Sequence, residues 1–310
     1  MRKSVIHELT ELARDDDRLV LLTGDLGFMV IEEFAEAHPT RFINMGVAEA
    51  NMIGVAAGLA LEGFRPYCYS IATFASLRPF EQLRNGAHLH QLQVRVIGVG
   101  GGFGYGTAGV THHALEDVAV MRTLPHMRII VPADDRDAVA AVRALHRAPG
   151  PTYFRLAKDA RVLDALRGTF QAARLQLVGD GDVLLLALGT IADEAIRAQA
   201  LLGARGIRVR VAIATCVAPA PVEHLVEILG EARTVVTLED HVLPGGIGSQ
   251  VAEVIAEGGL RCRLLRLGVE ETHSSTLGSE AFLRRRAGLD AESVAARLAT
   301  TVAQHYLRAS

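Results

Sequence analysis

The feature that most constrains the fold is the alternation of short apolar runs with longer stretches of helical pattern. Apolar runs without polar alternation are typical of strands that are buried on both faces of a parallel sheet. Parallel strands need crossover connections, which are usually helices. The alternation therefore predicts an α/β fold of mostly parallel sheets flanked by helices. In the first half of the chain the predicted strands are 19–23, 66–71, 94–99, 129–132 and 153–156, and the predicted helices are 45–61, 78–89, 114–121 and 135–148.

The pattern becomes irregular and charged between residues 158 and 182, where Gly179 and Gly181 interrupt it. Such a stretch is typical of a connection between domains. A second α/β pattern begins at residue 183, and the chain of 310 residues is long enough for two separate cores. We therefore predict two domains, at residues 1–165 and 175–310.

Composition and charge exclude several classes of protein. The formal net charge of -3 gives no reason to expect nucleic acid or an anionic membrane as a partner. The most apolar stretch, residues 42–61, would carry Glu49 near the centre of a membrane span, which argues against one. The three cysteines are far apart in sequence and form no CxxC pair, so we expect reduced thiols and a cytoplasmic location.

Glu49 is the only charged residue between Arg41 and Glu62. Around it, small residues such as Gly54 and Gly58 keep one face of the predicted helix thin, so that a ligand or another helix can approach the backbone closely. A carboxylate in such surroundings loses solvation, which is common for catalytic groups and also for structural ion pairs. From spacing alone, catalysis, a backbone cap and a pair with an arginine all remain open.

The segment RFINMGVAEANMIGVAAGLAL resembles the part of transketolases that carries the glutamate facing the aminopyrimidine of thiamine diphosphate. Similar segments occur in 1-deoxyxylulose-phosphate synthases and in beta subunits of 2-oxo acid dehydrogenases. The resemblance extends over essentially the whole chain, as a pyrimidine-binding domain followed by a transketolase C-terminal domain. It implies that Glu49 binds the cofactor and activates it.

Two further segments carry the resemblance to the site. Phe74, in SIATFASLRPFEQLRNG, matches the family's aromatic residue that stacks on the aminopyrimidine, although ordinary core packing is the alternative. Gly109-Val110-Thr111-His112 resembles the family's GPTH, which implies that His112 binds the cofactor and acts in catalysis. The alternative for His112 is a hydrogen bond that fixes the loop. His113 is a weaker candidate for contact with the substrate.

The substrate end of the site is less well defined by the resemblance. Lys158 falls where the family has an arginine that binds the substrate phosphate, and Arg155 is a second cation nearby. Either could hold an anionic group, and either could be a solvated surface charge. Transketolases also carry a histidine and an aspartate that contact sugar hydroxyls, whereas this sequence has Gly100 and Ala108 at the matching positions. The natural donor and acceptor are therefore left open.

The glycine-rich loop raises a dinucleotide-binding alternative, because Gly104, Gly106 and Gly109 satisfy GxGxxG. We discount it because these glycines begin several residues after the predicted strand, whereas the fingerprint needs them in the turn itself. The family's diphosphate and metal element is also missing, since the string Gly179-Asp180-Gly181 lies between the domains and no asparagine follows it.

These observations predict a chain that works with a partner and has no metal ligands of its own. The partner would be an N-terminal-half transketolase subunit that carries the diphosphate site and Mg²⁺, in an α2β2 assembly. The string EDHVLPGGIGSQVAE matches the transketolase C-terminal domain, where we expect a role in subunit contact and in orienting the site. The predicted activity is transfer of a two-carbon ketol unit from a ketose to an aldehyde. The alternatives are a beta subunit of a 2-oxo acid dehydrogenase or decarboxylase, and a 1-deoxyxylulose-phosphate-synthase-like carboligase.

Overall fold

The computed structural model describes residues 1–166, 170–270 and 276–309. In this part of the chain the strands form one seven-stranded and one five-stranded sheet, both mostly parallel and flanked by helices, so the predicted fold class is confirmed. The strands are β1 Leu19–Thr23, β2 Phe42–Asn44, β3 Arg65–Ile71, β4 Arg95–Val99, β5 Arg128–Ile130, β6 Thr152–Leu156, β7 Gln176–Val178, β8 Val183–Leu188, β9 Val209–Ala214, β10 Cys216–Ala218, β11 Thr234–Val242 and β12 Arg263–Val269. The α-helices are α1 Arg2–Asp15, α2 Glu32–Ala37, α3 Glu49–Leu61, α4 Ala72–Ser76, α5 Phe80–Gln82, α6 Asp117–Arg122, α7 Asp135–Leu145, α8 Ala192–Gly203, α9 Val222–Gly230, α10 Ile247–Glu257, α11 Glu280–Arg286 and α12 Ala291–Ala309.

The first sheet has the strand order β10-β5-β6-β4-β3-β1-β2, and its strands are parallel except for β10. Strands β1, β3, β4 and β6 are buried along almost their whole length, as the uninterrupted apolar runs predict. Because the strands are parallel, the loops after β1, β2, β3, β4 and β6 meet at one edge of the sheet. In open α/β sheets this carboxyl edge is where ligands bind.

The helices predicted at 114–121 and 135–148 are observed at Asp117–Arg122 and Asp135–Leu145, and the other two predicted helices differ more. The helix predicted at 45–61 begins at Glu49, because Phe42–Asn44 pairs with β1 and Gly46 makes a turn at φ 67°. The helix predicted at 78–89 begins at Phe80 with the short α5 and continues directly as a π-helical segment at Leu83–His88. Proline at position 79 removes a helical N–H there.

The chain crosses from the first sheet to the second between Leu156 and Gln176. The predicted domain bounds, 1–165 and 175–310, stay a prediction within this interval. One strand from the second half of the chain, β10, returns to the first sheet and pairs antiparallel with β5. The two halves therefore share a sheet edge as well as packing.

A buried ionic cluster joins the two halves around Arg155. Its guanidinium donates through Nε to Asp117 at 2.8 Å, and through Nη2 to the carbonyl oxygens of Ala114 and Asp240 at 2.8 and 2.9 Å. The Tyr153 hydroxyl donates to the same Asp117 carboxylate at 2.6 Å. The cluster ties β6, the loop before α6 and β11 to one another.

The string Glu239-Asp240-His241 lies at the same junction. Glu239 accepts the backbone N–H groups of Ile247 and Gly248, and thereby caps the start of α10. The His241 ring accepts from the N–H of Ala119 at 3.2 Å through Nε2, and its Nδ1 lies 2.7 Å from the carbonyl of Val242. The ring is fully buried, and this burial lowers the pKa of His241 to about 4. Neutral His241 thus joins α6 of the first half to β11 of the second.

The lowered pKa predicts that the contribution of His241 to stability depends on pH. The unfolded chain, with an ordinary histidine pKa of 6.5, takes up the proton before the folded chain does. Stability is therefore lost as the pH falls through the interval from 6.5 to about 4. The difference in unfolding free energy between the wild type and His241→Gln should narrow by about 3 kcal/mol from pH 7 to pH 4, measured by urea unfolding.

The comparison needs two safeguards. Burial raises the pKa of the neighbouring Glu239 to about 7, but this carboxyl group titrates in both proteins and cancels in the difference. The exposed His90 provides the matched control, because His90→Gln should show no pH-dependent gap. A gap for His241→Gln that stays constant with pH would contradict the role assigned to the buried ring.

Candidate active site

Glu49 lies at the carboxyl edge of the first sheet, as the first residue of α3. Its side chain is 2% exposed, and Oε1 accepts a hydrogen bond from the Ser70 hydroxyl at 3.3 Å. Gly24, just after β1, leaves room for the carboxylate, since a Cβ at this position would lie 3.3 Å from Oε1. The carboxylate is thus buried at the end of β1 and β3 and held from one side.

Arg78 holds the other side of the carboxylate. Its Nη1 donates to Glu49 Oε2 at 3.0 Å, and its guanidinium carbon lies 3.7 Å from the centre of the Phe74 ring. The sequence left the role of Arg78 open. Its position four residues after Phe74, with a break in the helix between them, did not indicate that the guanidinium would contact both Glu49 and the ring.

His112 stands beside Phe74, with ring centroids 5.0 Å apart in an edge-to-face arrangement. Its Nδ1 lies 2.9 Å from the Thr111 hydroxyl, and the ring is only partly buried. Partial burial lowers the pKa of His112, and the positive charges of Arg78 and His113 lower it further. At neutral pH the imidazole is therefore uncharged and can hold or donate a proton.

His113 points away from this site. Its ring is buried edge-on against Phe103, and Nε2 lies 3.3 Å from the carbonyl oxygen of Gly106. This position does not agree with the predicted contact between His113 and a substrate. The ring instead packs under the loop, against Phe103 and the carbonyl oxygen of Gly106.

Arg155 likewise requires a correction. Its guanidinium is buried, with Nε bound to Asp117 and Nη2 bound to two backbone carbonyls, so this side chain is tied into the interior rather than extended into solvent. Lys158, two residues beyond β6, is half-buried, with Nζ 5.0 Å from the centre of the Tyr105 ring. Of the two predicted cations, therefore, Lys158 is the one that faces the carboxyl edge.

Tyr105 is a site residue that sequence reasoning missed. Its ring lies 6.3 Å from His112, on the path from His112 to Lys158. It also fills the space beside Gly100, where an added Cβ would collide with the ring. The glycine at position 100 was a signal in the sequence, but nothing indicated which side chain would occupy the space. The site forms a continuous row of contacts: Glu49, Arg78, Phe74, His112, Tyr105 and Lys158.

No group of three or more His, Cys, Asp or Glu side chains is placed to hold a metal ion in residues 1–166, 170–270 and 276–309. In the same ranges, no helix is both long and apolar enough to cross a membrane.

Comparison with known families identifies two domains. The family model of the transketolase pyrimidine binding domain matches residues 1–161, and that of the transketolase C-terminal domain matches residues 173–294. The chain is 36% identical to a putative transketolase C-terminal section of Methanocaldococcus jannaschii, covering 96% of this chain and 95% of that one. It is 33% identical to one subunit of an apulose-4-phosphate transketolase of Phocaeicola vulgatus, covering 94% of each.

Longer relatives and solved structures agree with these matches. A 1-deoxy-D-xylulose-5-phosphate synthase of Thermomicrobium roseum is 36% identical, and the match covers 96% of this chain and 48% of that protein. A structure described as a split gene transketolase, inactive beta4 tetramer, has a TM-score of 0.87 at 35% identity and covers 95% of each chain. The transketolase of Campylobacter jejuni has a TM-score of 0.80 at 19% identity, covers 96% of this chain and 46% of that one, and supports the fold alone.

Arg78 lies over the Phe74 ring, which contacts His112, so removal of the Arg78 charge should change the pKa of His112. Because the Arg78 charge contributes to lowering the pKa of His112, Arg78→Ala should raise that pKa towards the ordinary value. Nuclear magnetic resonance titration of the histidine Cε1–H signals of the isolated chain measures it. The control Arg84→Ala removes an exposed arginine whose Nη1 donates to its neighbour Asn85, and it should leave His112 unchanged. An unchanged titration in Arg78→Ala would contradict the geometry.

Proposed function

The chain belongs to the transketolase family, and we propose that it is the cofactor-activating subunit of a two-chain transketolase that moves a two-carbon ketol unit from a ketose to an aldehyde. The single observation that carries the proposal is the buried Glu49 beside the Phe74 ring at the carboxyl edge of the first sheet. A desolvated carboxylate is a candidate for a functional group, and here it lies with the aromatic ring at the sheet edge where α/β proteins bind ligands.

The residues present fit the aminopyrimidine half of thiamine diphosphate, the cofactor that the family implies. A planar group with N–H donors, the Arg78 guanidinium, already stacks on Phe74 and bonds to Glu49, so a planar nitrogen heterocycle has suitable partners in the same place. When bound, thiamine diphosphate supplies a nucleophilic carbon and an electron sink for breaking and making carbon–carbon bonds. Glu49 and Phe74 would hold it, with His112 alongside.

Each of these residues has a distinct chemical task. Glu49 holds a proton at its carboxyl group against the pyrimidine nitrogen, and Ser70 fixes the orientation of that carboxyl group. Phe74 provides the stacking face and excludes water from it. His112, uncharged at neutral pH, donates a hydrogen bond through its ring N–H to oxygen as negative charge develops on the substrate.

The substrate extends along the row towards Lys158, which binds an anionic end as a point charge. Position 100 is a glycine, and the Tyr105 ring fills the space beside it. Tyr105 therefore lines the middle of this path, next to His112. We assign no substrate contact to Arg155 or His113, because Arg155 is bound to Asp117 and the His113 ring lies against the carbonyl oxygen of Gly106.

A partner chain completes the enzyme. One relative is named as a C-terminal section and another as one subunit of a transketolase, and a relative of known structure is described as an inactive beta4 tetramer. Large apolar side chains are exposed on the loops of the same edge: Phe28 at 74%, Met29 at 80%, Val47 at 73% and Val110 at 44%. Such a patch is typical of a surface that a second chain covers. The partner carries the diphosphate site and Mg²⁺ in an α2β2 heterotetramer, and the free thiols favour the cytoplasm.

One alternative function has a specific observation in its favour. The identity to a 1-deoxy-D-xylulose-5-phosphate synthase equals that to the transketolase C-terminal section, so a carboligase that joins a decarboxylated 2-oxo acid to an aldehyde is the second candidate. Assays of the assembled enzyme with a ketose donor and with pyruvate separate the transketolase from this carboligase and from a 2-oxo acid dehydrogenase, since both alternatives consume a 2-oxo acid.

Glu49→Gln tests the central claim. Glutamine keeps the size of the side chain but cannot hold the proton in the same way, so turnover with the partner should fall by at least about 100-fold while assembly is retained. Glu62→Gln, just past the exposed end of the same helix, is the matched control and should have wild-type activity. Activity of Glu49→Gln within a few-fold of the wild type would refute the catalytic role.

The two-chain proposal predicts where the cofactor binds. Calorimetry with thiamine diphosphate and Mg²⁺ should show no tight binding to the isolated chain, because the aminopyrimidine contacts alone leave the diphosphate without partners. The same titration of the assembled pair should show saturable binding at one site for each copy of this chain. Tight binding to the isolated chain would contradict the need for a partner.

A further inference from the structure

Arg78 contacts both the Glu49 carboxylate and the Phe74 ring, whereas an ordinary ion pair needs only the first of these contacts. The bond from Nη1 to Glu49 Oε2 already compensates the buried carboxylate. The guanidinium also lies over Phe74, with its central carbon 3.7 Å from the ring centre. The face of Phe74 that it covers is therefore the face from which Glu49 can be reached.

This geometry makes Arg78 and an aminopyrimidine competitors. A heterocycle that stacks on the same face of Phe74 and bonds to the same carboxyl group needs the volume that the guanidinium fills. Both cannot be present at once. The inference rests on the proposed function, because it takes Glu49 and Phe74 as the residues that hold the pyrimidine.

We infer that Arg78 is a displaceable occupant of the pyrimidine slot, which pairs with Glu49 while the slot is empty and leaves it when the aminopyrimidine enters. Burial decides which side chain moves. The Arg78 side chain is 45% exposed, whereas Glu49 is 2% exposed and is held by Ser70. The guanidinium can swing into water at low cost, while movement of the carboxylate would leave a buried charge without partners.

Displacement of Arg78 also changes the pKa of His112. The charge of Arg78 contributes to lowering the pKa of that histidine, so departure of the guanidinium makes the imidazole a better base. Entry of the pyrimidine would therefore raise the pKa of His112, because both events depend on the position of the Arg78 charge.

A binding experiment on the full isolated chain tests this inference. The probe is 4-amino-5-hydroxymethyl-2-methylpyrimidine, the aminopyrimidine half of the cofactor without the diphosphate, and its affinity is measured by nuclear magnetic resonance titration. Arg78→Ala should bind the probe at least about tenfold more tightly than the wild type, because the resident competitor is gone. Arg78→Met, which keeps the length of the side chain but has no N–H donor, should also gain affinity.

The controls separate competition from structural support. Arg84→Ala, in the neighbouring turn, should bind the probe like the wild type. The double variant Glu49→Gln, Arg78→Ala should lose the gain, because the carboxylate is then absent. A purely structural Arg78 would give the opposite sign, with weaker binding after its removal. Circular dichroism checks that each variant is folded.

The outcomes are distinct for the two proposals. Equal, weaker or undetectable probe binding by both Arg78→Ala and Arg78→Met, compared with the wild type, overturns the displacement inference. The proposed function fails separately, through full activity of Glu49→Gln in the assembled enzyme. A gain in probe affinity that survives the loss of the Glu49 carboxylate would also overturn the inference, because the probe would then bind elsewhere.

Discussion

The arrangement of the site depends on the buried contact between Arg155 and Asp117. One guanidinium binds the carboxylate at the start of α6, the carbonyl of Ala114 in the loop behind His112, and the carbonyl of Asp240 in β11. Removal of either charge would leave the other buried and unpaired, which is among the most costly defects a core can have. The loop with His112 is therefore fixed by the same interaction that joins the two halves of the chain.

A second charged pair governs the reactive end of the site. The buried carboxylate of Glu49 is compensated by Arg78, a side chain that is nearly half exposed. The cation of this pair is exposed to solvent, whereas both members of the pair of Arg155 and Asp117 are buried. The two pairs show how burial of the cation separates a structural role from a functional one.

The middle of the candidate site departs from the pattern expected from the sequence resemblance to ordinary transketolases. The ring of Tyr105 packs into the space that Gly100 leaves free, and it lies between His112 and Lys158. An aromatic ring offers stacking area and one hydroxyl, whereas the histidine and aspartate expected from transketolases offer several polar contacts to sugar hydroxyls. The difference concerns the part of the site that is proposed to contact the substrate, while the residues proposed to contact the cofactor keep the family pattern.

The sequence by itself determined the fold class and drew attention to Glu49. Apolar runs without alternation are typical of buried strands in parallel sheets, and a lone carboxylate in an apolar helix needs a special reason to be there. Only the tertiary structure determined where the arginine and lysine side chains near the site lie and what they contact. Arg155, Lys158 and Arg78 are equivalent charges in the sequence, yet the first is locked in the core, the second faces the edge and the third covers the Phe74 ring. Their roles follow from burial and from partners distant in sequence, such as Asp240 for Arg155 and Glu49 for Arg78, which a local pattern does not contain.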